Sequence, residues 1–224
     1  NLAAFALGRA AIVDPEITAE LKAPRQVTTD PISAWTQRTQ VYGSGRNRKF
    51  KRAQALLDGH PLADVFLQSY GKALCYKDEY EVARLHQDTM DMVTARFDGD
   101  VSLTHHLAPP LLPGKDAAGR PKKRAFKRSA PWAFAILRNL RWLRGTPFDP
   151  FGYSSERRAE RGLIKQVEAD MKAMSTKYDD AHAAAWRELA GLAGQVRGFG
   201  PVKKAAFVSY NKRRAELLRD LGVQ

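Results

Sequence analysis

One cysteine, Cys75, stands in a chain of 224 residues. That excludes an intramolecular disulfide framework and an internal iron–sulfur cluster, which needs about four thiolates. A lone cysteine is expected to be a buried hydrophobe rather than a reactive thiol, and the lack of disulfides agrees with a reducing, cytoplasmic setting. No apolar run approaches the ~20 residues that span a bilayer; residues 2–8 and 131–137 have only the length of core helices. No basic stretch precedes the first apolar one, so no secretory signal is expected.

Motifs for known chemistry are equally scarce. His105 and His106 are adjacent, and on a strand they would point to opposite faces, which defeats joint ligation of one metal. His60, His86 and His182 have no histidine or cysteine partner at ligand spacing and read as structural or surface residues. Gly43-x-Gly45 begins like a dinucleotide loop, but Arg48 occupies the third glycine position and no strand is expected before it. Neither a G-x-x-x-x-G-K-[ST] loop nor a G-x-S-x-G elbow occurs. Asp149, in Phe148-Asp149-Pro150-Phe151, reads as a turn-former. The acidic groups Asp78, Glu79, Glu81, Asp179 and Asp180 read as helix caps and surface pairs. Nothing assembles a nucleophile, a base and oxyanion donors, so these residues by themselves do not describe an enzyme.

What is present is a foldable, basic chain. Hydrophobic residues make up 44%, enough for a real core, and 37 Lys and Arg face 24 Asp and Glu for a formal charge of +13. The excess is local. Residues 120–144 hold nine basic side chains and no acid: Arg120, Lys122, Lys123, Arg124, Lys127, Arg128, Arg138, Arg141 and Arg144. Residues 37–52 hold six more, Arg38, Arg46, Arg48, Lys49, Lys51 and Arg52, again with no acid. Clusters of this kind focus a field that attracts phosphates, nucleic acid or acidic proteins; a merely solvated face is the bland alternative.

The patterning is mainly α with a small β-hairpin arm. Short helices are expected at 2–11 and 16–22, the second started by Asp14-Pro15. Thr28-Thr29-Asp30-Pro31 repeats the start signal, and Gly43-Ser44-Gly45 interrupts the element it opens. Val65, Phe66, Tyr70, Ala73 and Leu74 recur at helical spacing, and Tyr76 and Tyr80 extend that face. Residues 101–107 and 122–127 form the expected hairpin strands around a Pro- and Gly-punctuated loop. Ser129-Ala130-Pro131 opens an amphipathic helix with Ile136, Leu137, Leu140 and Leu143 on one face and Arg138, Arg141 and Arg144 on another. A long helix from about Ser155 carries Leu163, Ile164, Val167, Met171 and Met174. Another covers about 181–192. After Gly198 and Gly200, Pro201 starts a last helix lined by Phe207, Tyr210, Leu217, Leu218 and Leu221.

Four blocks belong together: Tyr76-Lys77-Asp78-Glu79-Tyr80-Glu81-Val82-Ala83-Arg84-Leu85, His106-Leu107-Ala108-Pro109-Pro110-Leu111-Leu112, Arg144-Gly145-Thr146-Pro147-Phe148-Asp149-Pro150-Phe151-Gly152-Tyr153 and Arg197-Gly198-Phe199-Gly200-Pro201-Val202-Lys203. With the opening Asn1-Leu2-Ala3-Ala4-Phe5-Ala6-Leu7-Gly8-Arg9-Ala10, they resemble in order and spacing the C-terminal region of fused bacterial indolepyruvate ferredoxin oxidoreductases, in the thiamine-dependent 2-oxoacid:ferredoxin oxidoreductase group; residues 29–60 match least. The resemblance implies a parent enzyme that decarboxylates an aryl 2-oxoacid on thiamine diphosphate with Mg, passes electrons through iron–sulfur clusters to ferredoxin and transfers the acyl group to coenzyme A. It implies that residues 1–27 are the tail of a preceding domain plus linker, and that 28–224 form a helical accessory domain that contacts upstream domains within a homo-oligomer. It assigns no catalytic, cofactor-binding or metal-binding residue here; the sequence lacks the thiamine-type G-D-G followed by N-N, and Asp98-Gly99-Asp100 is a different pattern.

These readings leave two functional expectations. In the first, the nine basic residues of 120–144 form a docking face for the acidic ferredoxin or for the phosphates of coenzyme A. In the second, the chain is a stand-alone basic helical protein that binds nucleic acid, with Trp132, Tyr42 or Phe126 stacking on bases. The neutral background and the absence of a recognition module weigh against the second.

Overall fold

The computed structural model describes residues 2–14, 16, 30–96, 104–107, 114, 122, 124–126 and 130–223. The chain divides into two compact units, Asn1–Asp30 and Pro31–Gln224. In the first, α1 (Leu2–Val13) is an apolar helix that leaves Phe5, Ile12 and Val13 exposed. Asp14 Oδ1 accepts the Glu16 N–H at 3.0 Å, the capping bond that Asp14 was expected to make. The rest of the helix expected at 16–22 lies outside the described residues.

The second unit is mainly α, as the patterning predicts. It contains α2 (Pro31–Tyr42), α3 (Ser44–Leu56), α4 (Ala63–Leu74), α5 (Glu79–Thr94), α6 (Ala130–Asn139), α7 (Ser155–Lys177), α8 (Ala183–Leu192) and α9 (Pro201–Asp220), with short 3-10 turns after α6 and on both sides of α8. Starts fall where the caps place them: α2 follows Asp30, α9 has Pro201 in its first turn, and Ser154 Oγ accepts Arg157 N–H at 3.2 Å ahead of α7. Gly43 is the junction between α2 and α3 rather than part of a phosphate loop.

The core lies among α2–α4 and α7–α9. Phe50, Leu57, Phe66, Tyr70, Leu74, Met174, Trp186 and Leu217 are sealed within it. All five residues of the α7 stripe, Leu163, Ile164, Val167, Met171 and Met174, are buried, because spacings of three and four keep them on one face. A Cβ at Gly71 would lie 2.7 Å from ring atoms of Trp35, so α4 and α2 reach this separation only with glycine there.

Two expectations are corrected. The face of α4 does not run on through Tyr76 and Tyr80: α4 ends at Leu74, and Asp78 starts α5 by accepting the Glu81 N–H at 2.9 Å. On α6 the inward residues are Phe134 and Leu137, packed with Ala83 of α5, while Ile136 is half exposed. The hairpin exists in shorter form. β1 (His105–Leu107) pairs antiparallel with β2 (Arg124–Phe126), with His106 opposite Ala125.

His60 shows the local chemistry of the core edge. Its ring meets Tyr178 edge-on at 4.8 Å, and Nδ1 accepts the Leu62 N–H at 3.1 Å, a bond that only the neutral ring accepts. Burial holds its pKa below the ordinary 6.5. The folded form therefore binds the proton less readily than the unfolded chain, so its stability contribution is present above 6.5 and fades as pH falls through the folded value. An NMR titration is expected to place the His60 midpoint below 6.5, and His60→Gln to flatten the slope of stability with pH there. A midpoint at or above 6.5 would contradict this.

Candidate functional site

Two of the sequence blocks are joined by a buried ion pair and a buried hydrogen bond. Asp78, which caps α5, faces Arg144, which follows the 3-10 turn Leu140–Leu143. Arg144 Nη2 donates to Asp78 Oδ1 at 2.9 Å, Nε donates to Oδ2, and Nη1 donates to the Tyr42 carbonyl at 3.0 Å. The guanidinium lies over the Tyr42 and Tyr80 rings, 5.0 and 5.8 Å from their centroids. Burial opposes the Arg144 charge, but the Asp78 carboxylate outweighs it and the pKa stays above the ordinary value. Burial, with Glu81 next, pushes the Tyr42 phenol far up; its hydroxyl points at the Cys75 and Tyr76 carbonyls, 3.0 and 3.1 Å away.

Asp149 completes this region. It accepts from Tyr80 Oη at 3.0 Å, Gly145 N at 2.8 Å and Phe151 N at 3.2 Å, so it is the turn-former the sequence predicts, and it also ties that turn to α5. Glu81 is buried and holds Arg84 through bonds of 3.0 and 2.8 Å. Asp78 and Glu81 are therefore interior residues rather than surface pairs. Their lone pairs serve internal donors, which is a structural use of carboxylates.

A second chain of charges reaches the fourth block. Arg157 bonds Glu160 and lies 3.4 Å from Glu79, and Lys203 bonds Glu160 from the other side. Beside this pair a cleft of about 510 Å³ opens, lined in part by Arg38, Lys72, Lys77, Glu160, Arg197 and Lys203. Lys72 Nζ donates to the Gly194 carbonyl, and Arg197 Nε reaches the same oxygen at 3.4 Å. Burial, and then the Arg197 charge, hold Lys72 below its ordinary pKa. Cys75 borders the cleft as a buried thiol that desolvation pushes up to about 12, an inert state for a thiol.

Five of the nine residues expected to form one docking face are among the described residues. Arg120, Lys123, Lys127 and Arg128 lie outside the described residues. Lys122 and Arg124 are exposed beside and on β2; Arg138 is half-buried, and Arg141 is exposed and donates to the Val41 carbonyl at 3.3 Å. Arg144, past the end of α6, is inside and committed to Asp78 at the start of α5. The 37–52 cluster also divides. Lys49 pairs with Glu168 at 2.8 Å, Arg46 lies over Tyr76, Arg38 lies over Trp35, and Arg48, Lys51 and Arg52 line a shallow exposed groove. Of the aromatics expected to stack on bases, Tyr42 is buried, Trp132 is exposed, and the Phe126 side chain lies outside the described part of the structure.

Sequence reasoning missed the cleft, since its cations come from distant segments. One signal was legible: Lys72 interrupts the apolar run Tyr70-Gly71-x-Ala73-Leu74 on a face destined for the core. Among the described residues no group of three or more His, Cys, Asp or Glu is placed to hold a metal, and no helix is long and apolar enough to cross a membrane.

Together these features define a mainly helical domain, cross-tied by buried ion pairs and opening a cationic cleft. Residues 42–216 match the model of a family of unknown function, DUF6537, and the chain belongs to that family. The match includes both ion-pair chains and every cleft cation except Arg38. No curated protein and no solved structure matches the chain.

Proposed function

We propose that this chain is the C-terminal, non-catalytic accessory domain of a cytoplasmic indolepyruvate ferredoxin oxidoreductase, the thiamine-dependent enzyme its sequence blocks resemble. The observation that carries the reading is that these blocks act as one unit. Blocks 76–85 and 144–153 are joined through Asp78–Arg144 and Tyr80–Asp149, and block 197–203 reaches them through Lys203, Glu160, Arg157 and Glu79. The exposed apolar residues of α1 suit a helix that packs on a neighbouring domain. Thiamine diphosphate, Mg, the iron–sulfur clusters and coenzyme A belong to the rest of the parent; the single thiol here, buried and raised in pKa, does not suit cluster ligation. Within the basic run 120–144, Lys122, Lys123 and Arg124 are the residues to which this reading assigns the steering of an acidic ferredoxin.

The test is kinetic, on the full polypeptide. Indolepyruvate and coenzyme A should drive ferredoxin reduction. Charge reversal at Lys122, Lys123 and Arg124 should raise the ferredoxin KM by about tenfold at low ionic strength and leave reduction of a neutral dye unchanged. Equal loss with both acceptors would reassign the hairpin to a structural role, and a full polypeptide with no oxoacid-dependent reduction would overturn the reading.

A further inference from the structure

Several half-buried cations elsewhere in the unit are held by carboxylates. Arg84 holds Glu81, Arg157 and Lys203 hold Glu160, and Arg214 holds Asp170. The 510 Å³ cleft gathers half-buried Lys72 with exposed Arg38, Lys77 and Arg197. Among the described residues, none of the ion pairs involves Arg38, Lys72, Lys77 or Arg197. These four come from α2, from α4 and the turn after it, and from the loop before α9, so the fold brings them to one concavity; no local run of charge explains it. Glu160, the one acid in the lining, is already held by two cations.

Like charges held together without a counter-ion repel: burial first, and then the neighbouring Arg197 charge, hold half-buried Lys72 below its ordinary pKa. An anion in the cleft relieves that repulsion. The volume falls in the range of small-ligand sites, roughly 300–1,000 Å³. The donors suit phosphate: Arg38 and Arg197 offer planar forks for paired oxygens, and Lys72 and Lys77 offer point charges. Phe199 lines the same cleft and is largely exposed to solvent, and Trp35 lines it too, under Arg38. Gly198 fixes this lip. Its φ is 96°, and a Cβ there would meet Val202 Cγ1 at 2.7 Å, so only glycine turns the loop to carry Arg197 and Phe199 together.

We propose that this cleft binds a nucleoside diphosphate or a small molecule of the same chemistry, its phosphates among Arg38, Lys72, Lys77 and Arg197 and its flat ring on Phe199. A small ligand fits better than an acidic protein because Lys72 sits half-buried in the concavity, beyond the reach of a flat surface.

Calorimetry on the whole chain at 0.15 M salt tests this, with ADP and inorganic pyrophosphate as probes; surface attraction alone is largely screened under these conditions. Arg38 and Arg197 are exposed, so R38Q/R197Q is expected to fold with an unchanged melting temperature and to weaken both probes by about tenfold or more. R48Q/K51Q, on the exposed face of α3, should stay within about twofold of the unaltered chain. Phe199→Ala should weaken ADP by about fivefold and leave pyrophosphate unchanged. The proposal is overturned if neither probe binds at millimolar concentration, or if the α3 variant loses as much as the cleft variant, which would leave only a general basic surface. ADP binding that is indifferent to Phe199→Ala would overturn the placement of the ring.

Discussion

Replacing Arg144 with alanine is expected to destabilise the helical unit by about 3–5 kcal/mol, the cost of leaving a buried carboxylate without its partner. Asp78 remains almost wholly buried, and its remaining bond to the Glu81 N–H does not replace a guanidinium fork. The Tyr42 carbonyl loses a donor as well, and two aromatic faces lose a cation. For a unit of this size the melting temperature should fall by roughly 10 °C. Arg144→Lys should recover only part of the loss, because an ammonium cannot reach both carboxylate oxygens and the carbonyl at once. The double variant Asp78→Asn, Arg144→Met should be more stable than Arg144→Ala alone, since it removes both charges together. Urea unfolding with an unchanged m-value would read each step. A loss below about 1 kcal/mol for Arg144→Ala would mean that Asp78 and Arg144 are not coupled in the folded chain.

An effect of similar size is expected in the main core. Trp186 has no solvent exposure and sits on α8 within the cluster shared by α4, α7 and α9. Trp186→Ala removes the largest sealed side chain and leaves a cavity that the surrounding helices fill only in part. The expected cost is about 3–5 kcal/mol. Trp132, on α6, is 62% exposed, and Trp132→Ala should change stability by no more than about 0.5 kcal/mol. The contrast between the two tryptophans tests the position of the core independently of any charge. Comparable losses at both sites would contradict the burial described for α8.

Both results depend on pairings of unequal legibility. Helix starts were legible because Asp30-Pro31 and Gly200-Pro201 carry their information within a few residues. The α7 stripe was legible for the same reason: Leu163, Ile164, Val167, Met171 and Met174 repeat at the period of the helix. The break between Tyr76 and Tyr80 was harder to see, because the aromatic spacing continues across it; only the capping bond of Asp78 stops the helix face. Arg144 illustrates a different limit. A sequence counts charges and spaces them, and by that measure Arg144 continues the row of Arg138 and Arg141. Its partner Asp78 lies 66 positions away, and no local pattern links them. The cleft is the extreme case. Arg38, Lys72, Lys77 and Arg197 acquire their shared environment only when α2, α4 and the loop before α9 meet.

The central claim is that this helical unit serves a larger oxidoreductase. The most direct measurement is the intact mass and reading frame of the native polypeptide that contains Asn1. The account predicts a chain several times longer than 224 residues, with a thiamine-type G-D-G and N-N pair and cluster cysteines upstream. A reading frame that opens at or just before Asn1, with no such motifs, would contradict it.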